Sequence, residues 1–228
     1  MPVITIRGHS GSLTSEIARM MAYKLDAHVM DRQILHEVSK RLEIPVEEVE
    51  EMEKVPLTRR DRILDAFSRL LQQPWAMVAG PPGHIGVLGL ASYYEHLPQP
   101  TDANAYRRAL EEIVHDLATD DSVVFTGKGT QVMLRQQERA FHVFVTAPLE
   151  LRVKRIMARN GISEAEARAM IARIDGHRKA YLKRYFKVDL EDLRLYDVVI
   201  NTAKIDVKTA VDTIIHLSRS AQSDAAAA

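Results

Sequence analysis

VITIRGHSGSLTSEIARMMAYKL, residues 3–25, is the stretch whose reading decides the fold class. Val3-Ile4-Thr5-Ile6 is a short β-branched run, and Gly8 and Gly11 follow it, so it reads as a buried strand ending in a turn. From Ser15 to Leu25, the apolar residues Ile17, Ala18, Met21, Ala22 and Leu25 recur at helical spacing. The unit is strand, glycine-containing loop, helix. Its loop, Gly8-His9-Ser10-Gly11-Ser12-Leu13-Thr14-Ser15, meets the phosphate-loop pattern G-x-x-x-x-G-K-[ST] at both ends. Gly8 takes the first glycine and Ser15 the final hydroxyl. Leu13 and Thr14 stand where the second glycine and the lysine belong. N–H groups ahead of a helix N-terminus cradle a phosphate even so, and Ser15 or Thr14 could reach a Mg²⁺. The other reading is a plain β–α turn, and the loop taken alone leaves both open.

Outward from this unit, His28-Val29-Met30 reads as a second strand and Asp31 as the cap of a helix with Ile34, Leu35, Val38 and Leu42 on one face. Pro45 opens a Glu-rich helix over 46–54, and a further helix is predicted over 58–71. Residues 74–101 are rich in proline and glycine and read as a long loop on an inserted helical lobe, with Trp75 and the Tyr93-Tyr94 pair packing the lobe, stacking on a base being the alternative. Helical pattern returns over 104–118. SVVFT (122–126) and FHVFVT (141–146) are the next strands. Between them Gly127-Lys128-Gly129 leads into a helix reaching about Arg135. Pro148 suits the first turn of the following helix, Gly161 its end, and Ser163-Glu164-Ala165-Glu166 is a capping box for a long basic helix to about Phe186. YDVVI (196–200) is the last strand, and Asp206 caps the last amphipathic helix. Residues 218–228 read as a disordered tail. Strands alternating with helices argue for a parallel sheet with helices on both faces. Ligands in such sheets sit at the carboxyl ends of the strands, so the loops after each strand matter most.

Composition narrows the function classes. The 228 residues carry 31 Lys plus Arg against 31 Asp plus Glu, a net charge of zero, which argues against nucleic acid as the main partner. The chain has no cysteine, so disulfides and thiolate chemistry are excluded. The nine histidines show no ligand spacing that would predict a metal site. No apolar run is long enough to span a bilayer, and no leader precedes the first strand, so no membrane partner is expected and a cytoplasmic location is the default.

Charge concentrates on two helices. Arg152, Arg155 and Arg159 lie three to four residues apart and share one helix face. Arg173 and Arg178, with Asp175 between them, lie on the next helix. Converging arginines on two helices joined at Asn160-Gly161 suit a lid that clamps phosphates during transfer. A solvated helix hairpin paired with Glu150, Glu164 and Glu166 is the alternative. Lys128 between two glycines at a strand end is either an anion contact or a solvated lysine on a tight turn.

The order of these motifs resembles the cytidylate kinase-like proteins, relatives of bacterial cytidylate kinase among the nucleoside monophosphate kinases. Residues 3–25 resemble that group's opening, which has a G-S-G-G run where this chain has Gly11-Ser12-Leu13-Thr14. MDRQIL (30–35) resembles Y-D-R-E-I-L, VFTGKGTQVML (124–134) resembles the V-I-V-G-R-G segment, and YDVVINT (196–202) resembles the closing strand. Residues 144–166 and 172–185 resemble the lid and the helix after it. The resemblance implies a P-loop kinase-type three-layer α/β/α fold with a five-stranded parallel sheet, as one domain over 1–217. The inserted acceptor-side lobe would cover about 32–104 and the helical lid about 150–187. It implies phosphoryl transfer from ATP, with Mg²⁺, to a small-molecule nucleotide. Gly8, His9, Ser10, Gly11, Ser12, Leu13, Thr14 and Ser15 would hold the donor phosphates. Asp31, Arg32 and Lys128 would face the acceptor. Arg152, Arg155, Arg173 and Arg178 would supply lid charge, oriented by Asp175, and a homodimer stays open. A nucleotide-binding regulator without turnover and a kinase of another small metabolite are the alternatives.

Overall fold

The β-branched run at the start of the chain becomes the middle of a sheet because it is apolar on both faces. In the computed structural model, which describes residues 3–53, 103–119 and 122–227, β1 (Val3–Gly8) is buried along its whole length. It pairs in parallel with β3 (Val123–Thr126) on one side and β4 (Ala140–Thr146) on the other, with Val3 level with Val123 and with Ala140. β2 (His28–Met30) and β5 (Val198–Asn201) complete a five-stranded parallel sheet of order β2-β3-β1-β4-β5. A parallel sheet needs cover on both faces, and the intervening segments supply it as α1 (Thr14–Leu25), α2 (Arg32–Leu42), α3 (Val46–Glu53), α4 (Ala103–Leu117), α5 (Thr130–Met133), α6 (Leu149–Asn160), α7 (Glu164–Phe186) and α8 (Val207–Ala227). Among the described residues no helix is long and apolar enough to cross a membrane.

Side chains alternate across a strand, so β1 divides its residues between two cores. Ile4 and Ile6 join Val124, Val143 and Val145 against α1 and α8. Val3, with Val123, Phe125 and Phe144, faces α2, α4 and the last turns of α7. Thr5 and Arg7 lie on that second face by the same alternation. A third, smaller cluster of Val153, Ile156, Ala167 and Ile171 pins α6 to α7 as a hairpin.

The local signals expected around that hairpin hold. Gly161 closes α6 in the left-handed region, at φ 66°. The Ser163–Glu166 capping box is complete at the start of α7. Asp206 accepts from Thr209 N–H at 2.9 Å ahead of α8. Other expectations are corrected. Asp31 precedes α2 but makes no side-chain cap hydrogen bond; its carboxylate faces the cavity described below instead. The helix after Gly129 is a single turn, Thr130–Met133, and the last strand starts at Val198, behind a 3₁₀ turn at Leu193–Leu195. Residues 218–227 are not a disordered tail but continue α8. Alanine is the best helix former, Ser218 is fully buried, and Gln222 donates to the carbonyl of Arg139 at 3.1 Å. The helix expected over 58–71, the 74–101 loop, Trp75, Tyr93 and Tyr94 lie outside the described residues.

Buried in the sheet, Thr5 Oγ1 and His142 Nδ1 sit 2.8 Å apart, and the His142 N–H donates to Asp197 Oδ2 at 2.7 Å. Burial, only partly offset by Asp197, holds the imidazole below its ordinary value of 6.5. The unfolded chain therefore binds more protons than the folded one as pH falls below about 6.5, and stability drops with it. His142→Gln should flatten the fall in unfolding free energy between about pH 7 and 5 relative to the parent, followed by urea titration. Parallel slopes for the two proteins would contradict this.

Candidate active site

The loop after β1 is held from outside by its carbonyls. Arg178 Nη1 donates to Gly8 O at 2.9 Å, and Ser12, through both N–H and Oγ, donates to His9 O. Arg152 Nη1 donates to Ser10 O at 3.2 Å, Arg155 Nη1 to Gly11 O at 3.3 Å, and Thr202 Oγ1 to Ser12 O at 3.1 Å. A trans peptide directs its N–H opposite to the preceding carbonyl, and no peptide here is cis. With the carbonyls turned out toward α6, α7 and β5, the N–H groups of Gly11, Leu13, Thr14 and Ser15 are left without acceptors among the described residues. This is the geometry of an anion-binding nest opening into a helix N-terminus.

Two glycines meet the close approaches that this winding demands. A Cβ at Gly8 would lie 2.3 Å from Val145 O and 2.4 Å from Thr14 Oγ1. Gly11, at φ 81°, runs against the backbone of Arg152. Leu13 is the exception: it adopts φ 68° and ψ 21° directly before α1, in the left-handed region that glycine tolerates.

A cavity of about 270 Å³ opens beside the loop. Gly8, Thr14, Ser15, Asp31, Lys128 and Arg178 from the sequence reading all line it. Burial lowers the Arg178 guanidinium below its ordinary value, against the pull of Asp175 and Asp31. Lys128 sits at φ 56° between left-handed Gly127 and Gly129, and a Cβ at Gly129 would fall 2.3 Å from the Phe186 ring. Its ammonium pairs with Glu53, both side chains being mostly buried. Tyr181 also lines the cavity; its hydroxyl donates to Lys128 O, and burial with Glu53 raises the phenol well above its ordinary value.

Other predicted residues lie outside the cavity. His9 is engaged at both ring nitrogens, by Thr146 Oγ1 and by Glu191 Oε1, each at 3.1 Å, and so braces the loop from below. Arg32 is 80% exposed and pairs with Glu50 at 3.2 Å. Arg152 and Arg155 are occupied by loop carbonyls, Arg155 also by Thr202, and Asp175 accepts from Arg152 at 2.7 Å and from Ser10 N–H at 2.8 Å. Arg173 is exposed. Four side chains that line the cavity, Arg7, Glu53, His177 and Tyr181, escaped the sequence reading. A charged residue at the end of a run destined for full burial was the available signal for Arg7. Glu53 had none, being one of several glutamates on a helix that reads as solvated.

The profile of the cytidylate kinase-like family matches residues 3–204. The cytidylate kinase of Methanocaldococcus jannaschii is 28% identical over 210 residues, 90% of this chain and 91% of its own length. That of Thermococcus kodakarensis is 35% identical over 135 residues, 56% of this chain and 64% of its own. The crystal structure of an uncharacterized protein from Eubacterium ventriosum is 19% identical, covers 96% of this chain and 99% of its own, and superposes with a TM-score of 0.64, a likeness of fold.

Leu13 belongs to none of the three apolar clusters, so its left-handed backbone is not offset by burial in them. Leu13→Gly should stabilise the protein by about 1 kcal/mol, read as a raised urea midpoint at unchanged slope. A lowered midpoint would show that the side chain holds the loop.

Proposed function

This chain belongs to the cytidylate kinase-like family, and from that premise we propose that it is an ATP-dependent phosphotransferase whose acceptor is a nucleoside monophosphate of the cytidylate type. One observation carries the reading. The start of α1, with unpaired N–H groups at Thr14 and Ser15, lines the same cavity as Asp31, Lys128 and Arg178.

The nest formed by Gly11, Leu13, Thr14 and Ser15 suits the donor's phosphates, and the positive end of α1 adds to it. The Ser15 hydroxyl is the group that would hold Mg²⁺ together with phosphate oxygens, since among the described residues no cluster of His, Asp or Glu makes an all-protein cage. The ion, when bound, neutralises charge on the phosphates. Asp31 and Lys128, on the β2 and β3 ends, stand on the acceptor side. In the transfer, an oxygen of the acceptor's phosphate bonds to the donor's terminal phosphorus as the bond to the bridging oxygen breaks, and the leaving diphosphate keeps the electron pair. The protein's part is position and charge. Arg178, tied to the first loop carbonyl, places a cation at the boundary between the two halves. The α6–α7 hairpin is the lid of this proposal, and Arg173 is its exposed charge.

A nucleotide-binding protein without turnover is the second reading. Thr14 carries no charge where a P-loop places lysine, and Leu13 strains the turn before it. Transfer to another small metabolite is the remaining alternative; of the lobe of about 32–104 expected to decide it, residues 54–102 lie outside the described residues.

Incubation with ATP, Mg²⁺ and CMP or dCMP should yield the corresponding diphosphate. Arg178→Ala should lower kcat by about 10²-fold or more while the far-ultraviolet spectrum and melting temperature stay near the parent's. ATP protecting the protein from thermal unfolding with no diphosphate from any acceptor would favour the reading without turnover.

A further inference from the structure

Arg7 is the anomaly of the sheet. It is 91% buried by its relative exposure of 9%, and its Nε is fully buried with no hydrogen-bond partner. Among the described residues its guanidinium makes neither a side-chain hydrogen bond nor an ion pair. Buried guanidinium groups are ordinarily paired. Here the neighbour that counts most is another cation: burial first, then the charge of Arg178, hold Arg7 down to about 10. Tyr196, Tyr181 and Glu53 act the other way without coming into hydrogen-bond contact.

The direction of the side chain is set by the fold. Arg7 alternates with Ile6 and Gly8, so it leaves β1 on the face covered by α2, α4 and α7. It passes beside Gly127, where a Cβ would lie only 2.7 Å from Arg7 Nη1. It therefore reaches the cavity beside β3 and Lys128, where Arg178 from α7 also lines it. Lys128 is already paired with Glu53, and Arg178 has Asp175 at 3.8 Å, with the charge of Asp31 also acting on it. Two guanidinium groups thus share the cavity with Lys128 against the carboxylates of Asp31 and Glu53, and Arg7 is paired with neither.

We infer that Arg7 is a specificity-determining residue: with Arg178 it receives the acceptor's phosphate monoester, so that the pocket selects a phosphorylated acceptor over its neutral, unphosphorylated counterpart. This rests on the kinase reading for the identity of the acceptor, but not for the anion site itself. A buried cation kept without a partner costs stability in the ligand-free protein, and a dianion held by charge-assisted hydrogen bonds from two guanidinium groups offsets that cost when it binds.

The test compares wild type, Arg7→Met and Arg7→Lys by isothermal titration calorimetry with CMP, cytidine, ADP and inorganic phosphate, alongside unfolding of the ligand-free proteins. Wild type should bind CMP about 10²-fold more tightly than cytidine. Arg7→Met should lose most of that ratio, keep its ADP affinity within about twofold, and unfold no more easily than wild type. Arg7→Lys should keep part of the ratio. An unchanged ratio in Arg7→Met would overturn the inference. So would a ligand-free Arg7→Met protein that is markedly less stable and weakened toward ADP and CMP alike, the mark of a purely structural arginine. If wild type binds ADP but neither CMP nor cytidine, the cytidylate reading falls. Inorganic phosphate, titrated with ADP saturating, then decides the anion site. Binding to wild type and not to Arg7→Met supports it, while binding to both or to neither overturns it.

Discussion

The capture of the loop carbonyls by side chains from distant elements is the constraint on which the rest of the site depends. Arg178 on α7, Arg152 and Arg155 on α6 and Thr202 after β5 each hold one carbonyl between Gly8 and Ser12. Left to itself, the turn between Gly8 and Thr14 would sample many windings, and ordering each residue costs about 1–2 kcal/mol. The arginines select the winding in which carbonyls face out and N–H groups collect at the start of α1. Asp175 completes the clamp by bridging Arg152 and the Ser10 N–H. Three of the arginines that resemble a lid's charge therefore shape the loop, and of these Arg178 alone also lines the cavity.

That commitment divides the positive charge near the sheet into two groups. Arg152, held by backbone oxygen and Asp175, and Arg155, held by backbone oxygen and Thr202, lie outside the cavity. Arg7, Arg178 and Lys128 face it. Coulomb attraction between opposite charges about 4 Å apart is on the order of 4 kcal/mol near a protein surface, and repulsion between like charges is of the same size. A cleft that gathers three cations against Glu53 and Asp31 is an unfavourable arrangement without a ligand. The left-handed backbone at Leu13 and at Lys128 adds local strain beside it. Strain and uncompensated charge gather around one cavity, which is where binding free energy can be stored.

Much of the fold was legible because its signals are local. The β-branched run of Val3 to Ile6, the apolar spacing of α1, the Ser163–Glu166 box and the glycine at 161 each act within a turn or a strand. The phosphate loop was legible as a pattern, down to Leu13 occupying a position that takes a left-handed backbone. What escaped is long-range. Helical spacing placed Arg152 and Arg155 on one face, but that this face meets loop carbonyls is decided by the fold, which sets the backbone of Arg152 against Gly11. Arg7 read as one more residue of a short strand, since its isolation depends on Gly127 and Arg178, both far along the chain. Ser218 and Gln222 looked like a loose end because the burial of the first and the Arg139 carbonyl that accepts from the second come from packing far along the chain.

The central claim is that one cavity holds both reactants, phosphate to phosphate, between the start of α1 and the Arg7–Arg178 cleft. Its most direct test is a crystal structure with a bisubstrate analogue that joins adenosine and cytidine through a chain of five phosphates. The account predicts electron density for the chain running from the N–H groups of Gly11, Leu13, Thr14 and Ser15 to the guanidinium groups of Arg7 and Arg178. Phosphates seated on the outer face of the loop, or an analogue bound elsewhere with Arg7 still unpartnered, would contradict it.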